Sequence, residues 1–239
     1  MGRILFILLF LFPYSLTAQL EEAFQLYNSG KYEQAATIYQ NYIHQKGKSA
    51  DLLYNLGLCF LSAKKIPAAR LAFEQANLLS PDFKHVQNLI NSINARVEPR
   101  IESLPDFLPV HWFRSIRDLL NSNGWSVISI LIAWILAYFI FKCMMSNQSM
   151  LNKRNLVLAC IFLFSLGLYF SRIRLENAPY GIILTNESLS AAPTEKSQEL
   201  LPLGAGTKFL IVDSLNTFFK VKLDNNDLGW LPKNKTIRY

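Results

Sequence analysis

Residues Tyr54–Pro81 read YNLGLCFLSAKKIPAARLAFEQANLLSP, and a single period organises them. Leu56, Gly57, Phe60, Ala69, Phe73 and Ala76 set small against large positions along two helical stretches, and Pro81 stops the second. Moving the frame back by 34 residues places Ala23, Leu26, Ala35, Tyr39 and Tyr42 opposite Gly57, Phe60, Ala69, Phe73 and Ala76. The matching stretch, AFQLYNSGKYEQAATIYQNYI, carries Gly30 and Tyr32 in its turn. Small residues at Ala35, Gly57, Ala69 and Ala76 let two helices approach closely, while Tyr39, Phe60 and Phe73 fill the space between them. The first repeat is looser, with Tyr42 at a small position and Gly47 where the second repeat has its proline. From Phe83 to Val97, Val86, Leu89, Ile90 and Ile93 form one stripe, which predicts a capping helix.

These motifs resemble the tetratricopeptide-repeat (TPR) family over residues 19–97. The resemblance implies a concave peptide-binding groove lined by the first helix of each repeat, here Phe24, Tyr27, Tyr54, Leu58 and Leu61. Apolar residues at helical spacing also build cores, so both roles stay open for each of the five. The basic residues with which such domains grip a peptide carboxylate are not evident there. Two repeats and a cap are few for a continuous core, which leaves room for a partner.

The net charge of +7 over 239 residues has a definite location. Residues 19–111 hold nine basic and nine acidic residues, and residues 175–239 hold seven of each. The excess lies in Arg3 and in Arg114, Arg117, Lys142, Lys153, Arg154, Arg172 and Arg174 against Asp118, all beside apolar stretches. A nucleic-acid binder needs Lys and Arg clustered on a folded face. The distribution argues against nucleic acid as a partner and for membrane anchoring.

Met1–Ala18 has the layout of a signal peptide: Arg3, an apolar run from Ile4 to Phe12, and Leu-Thr-Ala before Gln19. That run is shorter than the ~20 residues a spanning helix needs, so removal after Ala18 is expected. Cys59, Cys143 and Cys160 form neither a disulfide framework nor a zinc pattern, and are read as small buried residues.

Pro99, Pro105 and Pro109 mark residues 98–111 as a linker. In residues 112–123, Trp112, Phe113, Ile116, Leu119 and Leu120 share one face, which predicts an amphipathic helix in the membrane interface. Ser126–Phe141 contains no charge, and Lys142 snorkels so that a first transmembrane helix covers residues 126–145. A second covers residues 155–171, which are also uncharged. Lys142, Lys153 and Arg154, with no acidic residue, fit a cytoplasmic loop at residues 146–154 under the positive-inside rule, although Arg172 and Arg174 weaken the signal. Signal-peptide removal and an even number of spans place both soluble segments outside the cytoplasm. The expected location is a bacterial inner membrane with both domains periplasmic.

Over residues 178–239 the pattern changes from helical to alternating, with strand signals in GIIL, KFLIVDS, FFKVKL, GWLP and TIRY and a turn at Asp224–Asp227. Five short strands predict a small barrel. Ala192-Pro193, Leu203-Gly204 and Gly229-Trp230-Leu231 resemble bacterial SH3-like (SH3b) domains. The resemblance implies a structural Trp230 at the barrel core or rim, and cell-wall or peptide ligands in some members.

The fold class is therefore a multi-domain membrane protein: an α-helical TPR domain, a two-helix transmembrane hairpin and a C-terminal all-β SH3-like barrel. This order resembles the Bacteroides aerotolerance (Bat) family. That resemblance implies membrane-protein partners in one envelope complex, including von Willebrand factor A-type members, and a role in envelope homeostasis or oxidative stress. His44, His85 and His111 lack spaced carboxylate or cysteine partners, so no catalytic residue, metal or cofactor is expected. A non-catalytic scaffold is the leading expectation. A wall-binding sensor acting through the SH3-like domain is the alternative, and a channel subunit is disfavoured because neither span holds an acidic residue or histidine.

Overall fold

The computed structural model describes residues 14–99, 101, 107–146, 149 and 151–239. The signal-peptide expectation falls mainly on residues 1–13, outside the described residues.

Five helices form the repeat region: α1 (Tyr14–Asn28), α2 (Tyr32–Lys46), α3 (Ala50–Ser62), α4 (Ile66–Leu79) and α5 (Lys84–Asn94). Ser49 starts α3 by accepting a hydrogen bond from the Leu52 amide. Gly47, at φ +95°, ends α2, and its positive φ suits a residue without a Cβ. The exchange of small for large residues is a close fit, since a Cβ on Gly57 would lie 2.5 Å from Phe73 Cε1. Ala35, Ala69, Phe73 and Ala76 are fully buried. Two clusters result, one in which Ala23, Ala35 and Tyr39 of the first repeat meet Leu56 and Cys59 of the second. The other joins Leu53 and Phe73 to Val86, Ile90 and Ile93 of α5. The capping helix is thus part of the core.

The C-terminal segment is one antiparallel sheet of seven strands: β1 (Tyr180–Ile183), β2 (Glu187–Ser190), β3 (Glu199–Leu203), β4 (Lys208–Leu215), β5 (Phe218–Lys222), β6 (Leu228–Pro232) and β7 (Thr236–Arg238). Its order is β3-β2-β6-β5-β4-β1-β7, and the ladders are antiparallel. Alternation in the sequence marked five strands. The β2–β3 hairpin was hidden because four-residue β2 is mostly polar and β3 contains Pro202. Ile183, Leu189, Leu203, Phe209, Val221 and Leu231 form the core of the sheet.

Residues 104–178 belong to a separate compact unit containing α6 (Leu108–Arg117), α7 (Ser122–Met145) and α8 (Lys153–Glu176). Helices α7 and α8 are each 24 residues long and apolar enough to cross a membrane by length and composition. They start earlier than their uncharged runs because Asn121 and Asn152 cap them, accepting from the amides of Gly124 and Asn155. Helix α6 occupies 108–117 rather than 112–123. Pro109 lies in its first turn, where proline initiates a helix instead of breaking one.

An ion cluster ties the three helices together. Arg172 is 2% exposed and pairs with Glu176 Oε1 at 2.8 Å and Asp118 Oδ1 at 3.3 Å. Asp118 also takes two hydrogen bonds from Arg117, and the Ser122 amide donates to Glu176. Phe113 of α6 meets Phe164 of α8 edge-on, with ring centroids 6.1 Å apart. Ser129 and Ser165 bond across the hairpin at 3.0 Å. Near the loop, Cys143 Sγ accepts from the side-chain amide of Asn152, and Arg154 lies 4.0 Å over the Phe139 ring.

Candidate interaction surfaces

Helices α1 and α3 carry the five groove candidates and present them differently. Phe24 is 51% exposed. Tyr27 is half-buried, with its hydroxyl 3.3 Å from Ser62 Oγ and its ring tilted against Tyr32. Tyr54 sits between Phe73 and Phe83, at centroid distances of 6.2 and 5.1 Å. Leu58 and Leu61 pack, partly buried, on the same cluster. Three of the five therefore contribute to the core of the second repeat, and Phe24 projects most fully into solvent.

Two helix pairs at this period, closed by a helix sharing their core, are repeat architecture. Residues 26–93 are a tetratricopeptide-repeat domain. No curated protein and no solved structure matches the chain. Stacked TPR helix pairs build concave surfaces used to bind other proteins, which makes protein partners the class that fits this domain.

A second face of the TPR domain was not read from the sequence. Arg70 and Glu74 on α4 are each 4% exposed. Arg70 donates to Asn94 Oδ1 and lies 3.4 Å from Glu74 Oε1. The other Glu74 oxygen accepts from Lys208 Nζ, on β4, at 2.6 Å. Lys208 also lies 4.4 Å over the Tyr180 ring, and Tyr180 stacks on Tyr239. Burial first, and then the Glu74 carboxylate, push the Tyr239 phenol above its ordinary range. Charged side chains are almost never fully buried unless paired, and a pair formed across more than a hundred residues leaves no local signal.

The sheet also carries a polar cleft lined by Glu187, Ser188, Ser190, Thr194, Glu195 and Lys233, among others. Trp230 is half-buried with Lys220 over its ring, while neighbouring Leu231 is fully buried.

Cys59 and Cys143 are buried and Cys160 is exposed, and all three are free thiols. Burial pushes the Cys59 thiol up to about 11, which keeps it protonated and poorly nucleophilic at neutral pH. His44, His85 and His111 are all exposed. No group of three or more His, Cys, Asp or Glu is placed to hold a metal among the described residues.

Proposed function

We propose that this chain is a non-catalytic, membrane-anchored scaffold that recruits protein partners through its TPR domain within a cell-envelope complex. The observation that carries the proposal is the TPR match over residues 26–93 in a chain that also holds two helices of spanning length. Anchoring is supported by the outer surface of the hairpin, where Trp134, Tyr138, Phe141, Leu156 and Leu163 are all exposed; apolar area of this kind is costly in water.

For orientation, we place the loop at 146–154 in the cytoplasm and both soluble segments outside it, on the inner membrane of a bacterium. The buried Arg172 has Asp118 and Glu176 to compensate it, so it counts little against the Lys142, Lys153 and Arg154 set on the loop side. The TPR segment and the sheet also touch through Glu74 and Lys208. Segments that touch lie on one side of a membrane, so the chain between them crosses it an even number of times. The Bat resemblance extends the proposal to other membrane proteins as partners, von Willebrand factor A-type members included, and to aerotolerance or oxidative stress as the process.

The test is co-purification from gently solubilised native membranes with wild-type protein and the Phe24→Asp variant. Phe24 is exposed, so the substitution spares the fold. Partners lost with Phe24→Asp support the groove, and an unchanged set of partners sinks it.

The hydroxyl-rich cleft beside β2 favours a second reading, a wall-binding sensor acting through an SH3-like barrel, because such a lining suits a glycan or polar peptide. Retention of the full chain on purified peptidoglycan would support it, and free passage would remove it.

A further inference from the structure

We infer that the TPR segment and the C-terminal sheet are one cooperatively folding domain, interrupted by the helical hairpin, with the sheet acting as the permanent cap of the repeat array. Repeat arrays of this kind need about three units to bury a continuous core, and this one has two and a helix. Helix α5 packs on one side of α4, and the side that carries Glu74 meets Lys208 of the sheet.

Three independent observations meet at this joint. The first is electrostatic: Glu74 is buried on α4, and one of the two cations beside it, Lys208, comes from the sheet. The second is steric. A Cβ on Gly204 would lie 2.4 Å from the Glu98 carbonyl oxygen and 2.9 Å from Val97 Cγ1, so only glycine lets the β3–β4 turn seat against the end of the repeat segment. The third is connectivity. Ile101, just before the hairpin, packs on the sheet core, and Pro179, just after it, accepts a hydrogen bond from the Ile211 amide at 2.8 Å. Both ends of the insertion are therefore fastened to the same sheet. Two separate domains on a tether would need none of these contacts. A direct consequence is that the α4 face is occupied from within, which directs outside partners to the side built by α1 and α3.

Amide hydrogen exchange on the full chain in lipid nanodiscs tests the inference. The wild type is compared with Gly204→Val, with Lys208→Glu, and with Lys208→Arg, which keeps a cation beside Glu74 and leaves the Arg70–Glu74 pair untouched. If the domain is cooperative, exchange in α4 and α5 rises at least tenfold in Gly204→Val and Lys208→Glu, and Lys208→Arg keeps most of the protection. Should α4 and α5 stay as protected as in the wild type while residues 204–208 open, the repeat segment stands alone and the inference falls. If Gly204→Val does not fold, Lys208→Glu and Lys208→Arg decide by themselves. Equal deprotection of α4 and α5 in Lys208→Glu and Lys208→Arg also counts against a specific joint. The inference borrows the membrane reading only for the hairpin, and a hairpin that proves not to span leaves the exchange result intact.

Discussion

A methyl group at Gly57 would meet the Phe73 ring at 2.5 Å, and the ring, fully buried, has nowhere to retreat. Gly57→Ala is therefore expected to destabilise the TPR segment by about 1–3 kcal/mol, the usual cost of overpacking a filled core, read as a lower thermal midpoint. Cys59 supplies a pH dependence. Its folded pKa of about 11 lies above the value of about 8.5 expected in the unfolded chain. The neutral thiol's contribution is then complete below pH ~8.5 and is lost as the pH rises towards 11, because the unfolded state ionises first. The urea midpoint should fall over this window, and less steeply in Cys59→Ala. Both residues stood within the repeat motif, and the role of Gly57 could be read from its small-residue position. The roles of Arg70, Glu74 and Lys208 could not, because a sequence period reports neighbours along one helix pair and not a contact made across 134 positions.

At the scale of elements, the helices of the repeat segment and hairpin were legible because their apolar periods are long. Their ends were less so. Asn121 and Asn152 extend α7 and α8 beyond the uncharged runs, and Pro109 draws the start of α6 forward into what reads as linker. The β2–β3 hairpin has no apolar alternation to announce it. The most consequential omission was Arg172, which appears in the sequence as one more charge flanking a span and is the buried centre of a three-helix ion cluster. Replacing it by alanine leaves Glu176 without its Arg172 partner and Asp118 with Arg117 alone. A loss of about 3 kcal/mol is expected, as for one partner removed from a buried pair. Faster amide exchange in α6 and in the 118–121 corner would reveal it. Ser129→Val should act far more weakly, by about 0.6 kcal/mol, the mean for a side-chain hydrogen bond between membrane helices.

For the whole molecule, the expected topology is checked with single cysteines placed in a background lacking Cys59, Cys143 and Cys160. A membrane-impermeant thiol reagent applied from outside the inner membrane should label Asn88→Cys, on the exposed side of α5, and not Ser149→Cys in the loop. Labelling of both positions, or of the loop alone, would overturn the orientation. The anchorage of Ile101 has a further consequence, for the order in which the molecule can be made. Its place in the sheet core is built by residues from Ile183 to Leu231, and the edge strand β7 pairs with β1 only once Thr236–Arg238 exist. At roughly 5–20 residues per second, a ribosome spends about ten seconds on the intervening stretch. Throughout that interval Glu74 lacks its lysine and Ile101 its core, so the newborn repeats wait, unfinished, in a form that a chaperone or a protease can read.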